Sequence, residues 1–457
     1  MFHIITIILF VFNACTYKTA SENDSLIDST QYSLPDTLRV ATLYSPTSYF
    51  IYRDAKLGYD YSLVSQFCED NNIAIDLIVA PNMASMLELL DSAKVDLLAY
   101  EIPITSEYKN RVLHCGVINS TSQVLVQPLK NKSVEITDVT QLVGKDIYVE
   151  KDSKYHQRIE NLSNELGGGI NIHLVDKDTL ITEDLIRMVS TGEIPLTIVD
   201  SDIARLNKTY YKDLDIALQL SFPQRSSWAV SPSKPWLAQM INEWTEQETP
   251  KRKYAELHKR YFELSKNERR PYSIDFSKGY ISKYDSYFKK YASQTGWDWR
   301  LLAAQAYVES RFDSTAVSWA GARGIMQIMP STAQGYGLTE RIAYIDDNIR
   351  VASQIIKKLD RLLTDYVKDP TERVKFVIGA YNSGLAHIYD AIALAKKYGK
   401  DPQKWDGNVA DAVLMKTKPE FYNDSVCKYG YFRGSQTFEY VNTVMEFYNR
   451  CKRDIPL

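Results

Sequence analysis

Glu309 is the residue whose position in this sequence best suits acid–base chemistry. Apolar or uncharged residues recur around it at intervals of three or four, at Leu301, Gln305, Val308 and Phe312. This spacing predicts a helix. Glu309 lies one position off this stripe, at the margin of a core. A carboxylate there is poorly hydrated, as general acids often are. Position alone decides little, because most helical glutamates are solvated or ion-paired.

Two later segments supply polar groups that could share a cleft with this carboxylate. Gly321 and Gly324 bracket a turn whose backbone can take positive φ and approach a ligand closely, and Gln327 follows it. Farther on, an apolar run leads into Tyr381 and Asn382 just ahead of a glycine. We expect these two side chains to face Glu309 across a cleft.

Together these motifs resemble the catalytic core of lytic transglycosylases of the goose-lysozyme-like superfamily. The matching pieces are Glu309-Ser310, Ser318 with the Gly-Ala-Arg-Gly turn, Met326 to Pro330 with Thr332-Ala333, Ala380 to Gly384, and Tyr440-Val441. The resemblance implies that Glu309 is the catalytic acid and then the base. It implies sugar-subsite roles for Ser318, Gln327, Met329, Tyr381, Asn382 and Tyr440. One departure is Gln436, where such enzymes usually carry a glutamate, and it puts a supporting hydrogen bond in doubt.

The number of well-placed carboxylates bears on the reaction. Ordinary glycoside hydrolysis needs two, whereas only Glu309 lies in a strong motif; Asp313 looks like a turn residue, and Asp346 and Asp347 look like helix-start residues. The family mechanism needs one acid, with help from the substrate's acetamido group, and leaves a 1,6-anhydromuramic acid end without any cofactor. Two alternatives remain open, a lysozyme-like hydrolase and a non-catalytic sensor of peptidoglycan.

The region before the catalytic motifs alternates short strands and helices. Strand-like runs such as Leu38 to Thr42 and Ile75 to Val79 alternate with helical ones, which predicts an α/β domain of two similar lobes over residues 36–264. It resembles the family-3 periplasmic solute-binding fold through Gly58 to Tyr61, Leu89 to Asp96, Pro103 to Tyr108 and Ser227 to Val230. The resemblance implies a regulatory domain that binds a muropeptide or another small ligand, with a structural spacer as the alternative.

The N-terminus predicts export. Residues 4–12 are apolar but too short to span a bilayer, and Cys15 follows, which resembles a lipoprotein signal with Cys15 as the lipidated residue. Residues 16–35 read as a flexible tether. The expected location is the cell envelope, anchored by lipid at the periplasmic face of the outer membrane. Four further cysteines match no metal or redox motif, and pairing of Cys427 with Cys451, pairing of Cys68 with Cys115, and free thiols all stay open.

Composition and pattern place the remaining boundaries. The formal charge of −3 over 457 residues gives no global attraction to nucleic acid, and the six histidines lack metal-ligand spacing, so we expect neither a nucleic-acid partner nor a metal site. Residues 240–264 read as one helix kinked or broken by Pro250, and residues 265–277 as a linker. Apolar residues at helical spacing predict an all-α lobe over residues 278–457. The joint order of the two regions resembles the membrane-bound lytic transglycosylase F family, whose substrate is the glycan strand of peptidoglycan.

Overall fold

The computed structural model describes residues 35–129, 136–175, 182–264, 274–339 and 341–456. The predicted lipidation residue Cys15 and its signal sequence lie outside the described residues, as do nearly all of the tether and most of the predicted linker. No helix within the described ranges combines the length and the apolar character needed to cross a membrane.

Within the described residues, the strands all belong to the N-terminal half. In chain order they are β1 (Thr37–Leu43), β2 (Phe50–Tyr52), β3 (Ala55–Leu57), β4 (Ala74–Ala80), β5 (Leu97–Pro103), β6 (Leu113–Thr121), β7 (Gln123–Pro128), β8 (Asp146–Glu150), β9 (Asn171–Val175), β10 (Thr197–Asp200), β11 (Leu214–Asp215) and β12 (Gln224–Val230). The helices of this half are α1 (Tyr59–Asp70), α2 (Met83–Asp91), α3 (Lys154–Glu165), α4 (Thr182–Thr191), α5 (Ser201–Lys208), α6 (Pro235–Thr245) and α7 (Glu248–Phe262).

These elements form two α/β lobes. The first lobe has the sheet order β4-β1-β5-β12-β6 and the second has β11-β7-β10-β8-β9. Pairs such as β1 with β4 and β8 with β9 are parallel, which a crossover helix requires, whereas β12 runs antiparallel to both β5 and β6. The chain enters the second lobe between β6 and β7 and returns through β12. The predicted two-lobed α/β fold is confirmed.

A short hairpin of β2 and β3 stands outside both sheets. Its two strands pair with each other, in the register Phe50 with Leu57 and Tyr52 with Ala55, and with no other strand of the described part of the chain. The turn between them places Arg53 and Asp54 at φ values of 52° and 58°, a conformation that residues other than glycine seldom adopt. This segment is called the β2–β3 hairpin below.

The C-terminal half is helical, as expected. Its helices are α8 (Asp285–Thr295), α9 (Trp299–Ser310), α10 (Pro330–Gly335), α11 (Ile345–Leu363), α12 (Pro370–Ser383), α13 (Leu385–Lys397), α14 (Ala410–Met415), α15 (Pro419–Tyr422) and α16 (Gly434–Asp454). They share one apolar core that includes Leu302 of α9, Ile356 of α11, Phe376 of α12 and Val444 of α16. Asp346 and Asp347 lie in the first turn of α11, which confirms their interpretation as helix-start residues.

The structure corrects the expected position of one helix break and answers a question that the sequence left open, the pairing of the cysteines. The predicted helix over residues 240–264 is two helices, and the break falls at Glu246 and Gln247 rather than at Pro250. Pro250 occupies the first turn of α7, where a missing N–H costs nothing because that group has no partner within the helix. Among the described cysteines, Cys68, Cys115, Cys427 and Cys451 are free thiols, so neither of the two pairings forms.

Candidate active site

The last turn of α9 positions Glu309. Asp298 caps the start of the helix, because its side chain accepts a hydrogen bond from the Arg300 N–H, and the interior residues of the helix are buried. It ends where Arg311 and Phe312 take φ values of 58° and 66°. This left-handed stop turns the chain away immediately after the glutamate, whose side chain is only 4% exposed.

A tyrosine from the last helix contacts the carboxylate. Tyr440 of α16 donates a hydrogen bond from its hydroxyl to Oε1 of Glu309 over 2.7 Å. Burial raises the pKa of Tyr440 well above its usual value, and the nearby charge of Glu309 raises it further, so the phenol keeps its proton. Tyr440 therefore holds one carboxylate oxygen at a fixed position.

Arg53 of the β2–β3 hairpin occupies the rest of the site. Its Nη2 lies 3.0 Å from Oε1 and 2.9 Å from Oε2 of Glu309, and its Nη1 donates to the main-chain oxygen of Gln327 over 2.6 Å. Burial acts to lower the pKa of Arg53, but the charge of Glu309 and the neighbouring tyrosine hydroxyls outweigh it, and the pKa is raised. The contact is a buried ion pair between the two halves of the chain, with the Arg53 side chain 9% exposed.

Main-chain contacts fix the hairpin against the helical domain. The Arg53 N–H donates to the Ser383 oxygen over 2.8 Å, and the His387 Nε2–H donates to the Ile51 oxygen over 2.8 Å. Burial and the neighbouring Lys416 charge lower the pKa of His387 well below its ordinary value, so the ring is neutral. The ring can donate through Nε2 because its Nδ1 accepts from Lys416 over 3.0 Å.

Asp54 of the β2–β3 hairpin caps the start of α13 in the helical domain. Burial raises the pKa of its carboxyl, and hydrogen bonds from the main chain of Leu385 and Ala386 oppose that rise. These two residues open α13, which lacks a side-chain cap of its own at Gly384. A carboxylate at that position satisfies free N–H groups and interacts favourably with the helix dipole. Together with Arg53, this contact closes the cleft over Glu309.

Three residues expected at sugar subsites lie in the turn after α9 and contact the protein itself. Ser318 accepts from the Ala322 N–H over 3.0 Å. Gln327, at a φ of 49°, donates its side-chain amide to the oxygens of Ala316 and Gly324 over 3.0 and 2.9 Å. Met329 is 7% exposed and belongs to an apolar cluster with Leu57 of the hairpin.

Two more of the six residues expected there lie on α12, and the sixth is Tyr440 of α16. Tyr381 donates its hydroxyl to the Met326 oxygen over 2.8 Å, and its ring centre is 5.9 Å from the Arg53 guanidinium carbon. Asn382 accepts a hydrogen bond from the Thr437 hydroxyl over 2.7 Å. Arg53 thus contacts Glu309, the main chain of Gln327 and the ring of Tyr381. Tyr440 contacts the same Glu309 carboxylate.

A buried asparagine holds the turn that carries Gln327. Asn348 accepts from the Met326 N–H over 2.8 Å and donates to the Ile342 oxygen over 2.5 Å. Gly324 passes so close that an added Cβ would lie 2.4 Å from the Asn348 amide nitrogen and 2.9 Å from the Ile342 oxygen. The close approach explains the glycine, which also has a φ of 82°.

We expect Gly324→Ala to lower the free energy of unfolding by about 2 kcal/mol or more, because it combines an unfavourable φ with a steric clash. Gly337→Ala is the matched control: its φ is 67°, but an added Cβ meets nothing within 4 Å, so it carries only the backbone cost of about 1 kcal/mol. Urea unfolding of both variants measures the difference. Equal destabilisation would contradict a tight fit at Gly324.

Asp313, the nearest carboxylate in sequence, has a local structural role. It accepts hydrogen bonds from the Thr315 N–H over 2.8 Å and the Thr315 hydroxyl over 2.7 Å. The hydroxyl bond and then the main-chain bond lower the pKa of Asp313. The interpretation of Asp313 as a turn residue is confirmed.

Sequence reasoning missed Arg53, the residue that makes most contacts with Glu309. The segment Tyr-Arg-Asp-Ala reads as an ordinary solvated turn, and Arg53 and Glu309 are 256 positions apart. The only local signal is an extra polar turn between the first strand and the first helix. It gives no indication of a contact with another domain.

Comparison with known families assigns both halves of the chain. Residues 38–264 match the family model for bacterial extracellular solute-binding proteins, family 3, and residues 286–404 match the transglycosylase SLT domain. Among solved structures, the Lactococcus lactis GlnP substrate-binding domain 2 covers 51% of this chain and 97% of its own, at 14% identity and a TM-score of 0.43. An ancestral cationic amino acid solute-binding protein covers 50% and 96%, at 17% identity and a TM-score of 0.43.

Two relatives align with this chain over nearly its whole length, across both regions. The chain is 29% identical to the membrane-bound lytic murein transglycosylase F of Desulfosudis oleivorans, over 91% of this chain and 89% of the relative. It is 30% identical to the protein of that name from a Pseudomonas putida strain, over 90% of this chain and 84% of the relative. The chain belongs to the membrane-bound lytic murein transglycosylase F family and is a lytic transglycosylase.

Proposed function

We propose that this protein cleaves the β-1,4 bond between N-acetylmuramic acid and N-acetylglucosamine in peptidoglycan without water, with Glu309 as both acid and base. The substrate class follows the family, whose name specifies murein. The product and the role of Glu309 are inferred from the residues around it. No cofactor is needed for this chemistry.

The proposed reaction has two steps. Protonated Glu309 donates its proton to the glycosidic oxygen, the bond from C1 of the muramic acid to that oxygen breaks, and the acetamido carbonyl oxygen bonds to C1. The Glu309 carboxylate then removes the proton from the C6 hydroxyl. O6 attacks C1 and displaces the acetamido oxygen, which gives the 1,6-anhydro ring and restores protonated Glu309.

The observation that carries the proposal is the buried carboxylate of Glu309, because no other carboxylate among the described residues is recorded in contact with it or with Tyr440. Glu309 is 4% exposed and accepts a hydrogen bond from the neutral Tyr440 hydroxyl in addition to its ion pair with Arg53, while Asp313 is engaged with Thr315. A hydrolase that uses two carboxylates needs the second one within about 5 to 10 Å of the first, on the other side of the sugar. One acid beside a tyrosine supports the reaction in which the substrate supplies the second group.

The test is mass spectrometry of fragments released from purified peptidoglycan by the chain lacking residues 1–35, with Glu309→Gln as the inactive control. We expect muropeptides with anhydro ends, which are 18 mass units lighter than the reducing products because no water is added. Reducing ends would show a hydrolase instead. If neither wild-type protein nor an Arg53→Ala variant released fragments, a peptidoglycan sensor would replace the enzyme.

Tyr440→Phe is expected to lower the cleavage rate about 10-fold or more, because a hydrogen bond to a charged group contributes about 1.5–3 kcal/mol. Tyr448→Phe is the matched control. It removes a hydroxyl of the same helix that donates to Asp298 over 3.1 Å, away from Glu309. Initial rates on peptidoglycan measure both, and equal rates for the two variants would contradict the role of Tyr440.

We further propose that the two-lobed domain binds a peptidoglycan fragment and thereby opens the cleft. Both lobes hold the helical domain: Arg260 of the first lobe donates to the Ala320 oxygen over 2.6 Å, and Arg433 of the helical domain donates to Asn207 of the second over 2.9 Å. A change in the angle between the two lobes would strain one of these contacts. A ligand that binds more tightly at one inter-lobe angle would therefore shift the equilibrium between the docked and undocked arrangements of the two-lobed and helical domains.

Calorimetry with purified muropeptides on the chain lacking residues 1–35 tests this regulation. We expect binding, together with faster cleavage of peptidoglycan when the muropeptide is present. Binding without any change in rate would remove the regulatory proposal, and so would the absence of binding.

We also propose that Cys15 is lipidated and anchors the protein at the periplasmic face of the outer membrane. The relatives are named membrane-bound, which supports attachment to a membrane. Cys15→Ser is expected to move the protein from the membrane fraction to the soluble fraction of disrupted cells. Unchanged fractionation would contradict the anchor.

A further inference from the structure

Thr437 and Asn382 form an isolated polar pair inside the helical domain. Thr437 lies in the first turn of α16 and is fully buried, and Asn382 lies near the end of α12 with 3% of its surface exposed. The Thr437 hydroxyl donates to the Asn382 side-chain oxygen over 2.7 Å. A buried hydroxyl and amide need such a partner, but this pairing also has a directional consequence.

The hydrogen bond fixes which end of the amide points away from α16. An asparagine side chain has an oxygen that accepts and a nitrogen that donates, and the two can exchange places by a half-turn. A hydroxyl that donates to the oxygen favours one of the two orientations. Within the described part of the chain, the Asn382 nitrogen has no hydrogen-bond partner and is not among the enclosed polar atoms, so its N–H groups are left for a ligand.

The pair lies beside the cleft that contains Glu309. Thr437 and Tyr440 are three residues apart on α16 and therefore share one face of it. Tyr440 of that face contacts Glu309, while Ser383, next to Asn382, accepts from the Arg53 N–H. One face of α16 thus supplies one hydroxyl to the carboxylate and another to the amide.

We propose that Thr437 is a positioning residue for the glycan substrate: its hydroxyl holds the Asn382 amide with the nitrogen toward the cleft, where it donates to an acceptor oxygen of the sugar. Without this hydroxyl, the amide turns freely and presents its oxygen to the same acceptor for part of the time. Two acceptors then face each other, and the glycan binds less tightly. The inference rests on the proposed function, because it takes the glycan as the ligand of Asn382.

The test compares Thr437→Val, which keeps the shape and removes the hydroxyl, with Thr437→Ser, which keeps the hydroxyl. Every variant carries Arg53→Ala so that the cleft is free of the arginine side chain. We expect Thr437→Val to raise KM for soluble glycan strands about 3- to 10-fold with little change in kcat, the effect of one lost neutral hydrogen bond. Thr437→Ser is expected to restore KM.

A double-mutant cycle separates positioning from a general loss of packing. In an Asn382→Ala background, Thr437→Val should leave KM unchanged, because the group that it orients is gone. If Thr437→Val raised KM by the same factor with and without Asn382→Ala, the proposal would be overturned. A serine variant that behaves like the valine variant would do the same. Melting temperatures of all variants show whether any of them is unfolded at the assay temperature.

Binding measurements keep this test independent of the proposed reaction. With Glu309→Gln added, calorimetry with the same glycan strands gives Kd without any turnover, and Thr437→Val should weaken binding by the same factor. If cleavage gives another product but Thr437→Val still weakens binding only when Asn382 is present, the proposed reaction fails and the role of Thr437 stands. If the wild-type hydroxyl makes no difference to Kd, the role of Thr437 fails whatever the product.

Discussion

Glu309→Gln is expected to lower the rate of peptidoglycan cleavage about 10³-fold or more, because in the proposed reaction one carboxyl group serves as the acid of the first step and the base of the second. Glutamine has nearly the same shape but can neither donate the proton nor take one up. The measurement is the initial rate of fragment release by the chain lacking residues 1–35. Asp313→Asn, one turn on, is the matched control and should stay within about 2-fold, the range of an exposed turn residue.

The same substitution also removes half of a buried ion pair. Arg53 would then face an uncharged amide, and a buried charge that loses its partner is strongly destabilising. We therefore expect Glu309→Gln to weaken the docking of the hairpin, so that the variant binds glycan strands more tightly than wild type while it cleaves none. Tighter binding with no cleavage would distinguish a lost acid from a misfolded site, and retained cleavage would contradict the assignment of Glu309.

Much of the catalytic domain can be predicted from local pattern. Apolar residues at helical spacing indicated α9, and the helix ends at Ser310 whereas the apolar stripe in the sequence runs on to Phe312. The difference arises because Arg311 and Phe312 adopt positive φ, which the apolar pattern does not report. The two α/β lobes were predictable for the same reason, since alternating strands and helices are local features.

The direction of individual side chains was less predictable. Gln327 follows the turn at Gly324, and from sequence its amide projects toward a ligand. In the structure its φ of 49° brings that amide back onto the oxygens of Ala316 and Gly324, while its own main-chain oxygen faces Arg53. The backbone conformation of one residue decides this, and no residue type encodes it uniquely.

The closure of the cleft lies beyond sequence pattern altogether. It depends on several contacts between residues more than 250 positions apart, among them Arg53 with Glu309 and His387 with the Ile51 oxygen. Each residue has an ordinary local interpretation, as a turn arginine or a helix histidine. Only the packing of the first lobe against the helical domain gives them a shared role.

Arg53→Ala is expected to raise the rate of peptidoglycan cleavage about 10-fold or more in the absence of any effector. Two effects act in the same direction. While the ion pair lasts, Arg53 occupies both carboxylate oxygens of Glu309 and the space beside them, which keeps the substrate from the carboxyl group. Breaking a buried pair also costs about 3–5 kcal/mol, which shifts a docking equilibrium by more than tenfold. The hairpin would keep its contacts through Ile51 and Asp54, so it should undock more often rather than permanently.

Initial rates on purified peptidoglycan measure the effect, with Arg111→Ala as the matched control. Arg111 pairs with Asp91 in the first lobe, and their side chains are 42% and 45% exposed, so its loss should change neither docking nor rate. The double variant Arg53→Ala/Glu309→Gln must be inactive if the added activity comes from this site. A rate for Arg53→Ala at or below wild type would show that Arg53 assists the substrate instead of excluding it. A rate equal to that of wild type saturated with a muropeptide would mean that the ligand and the substitution release the same contact.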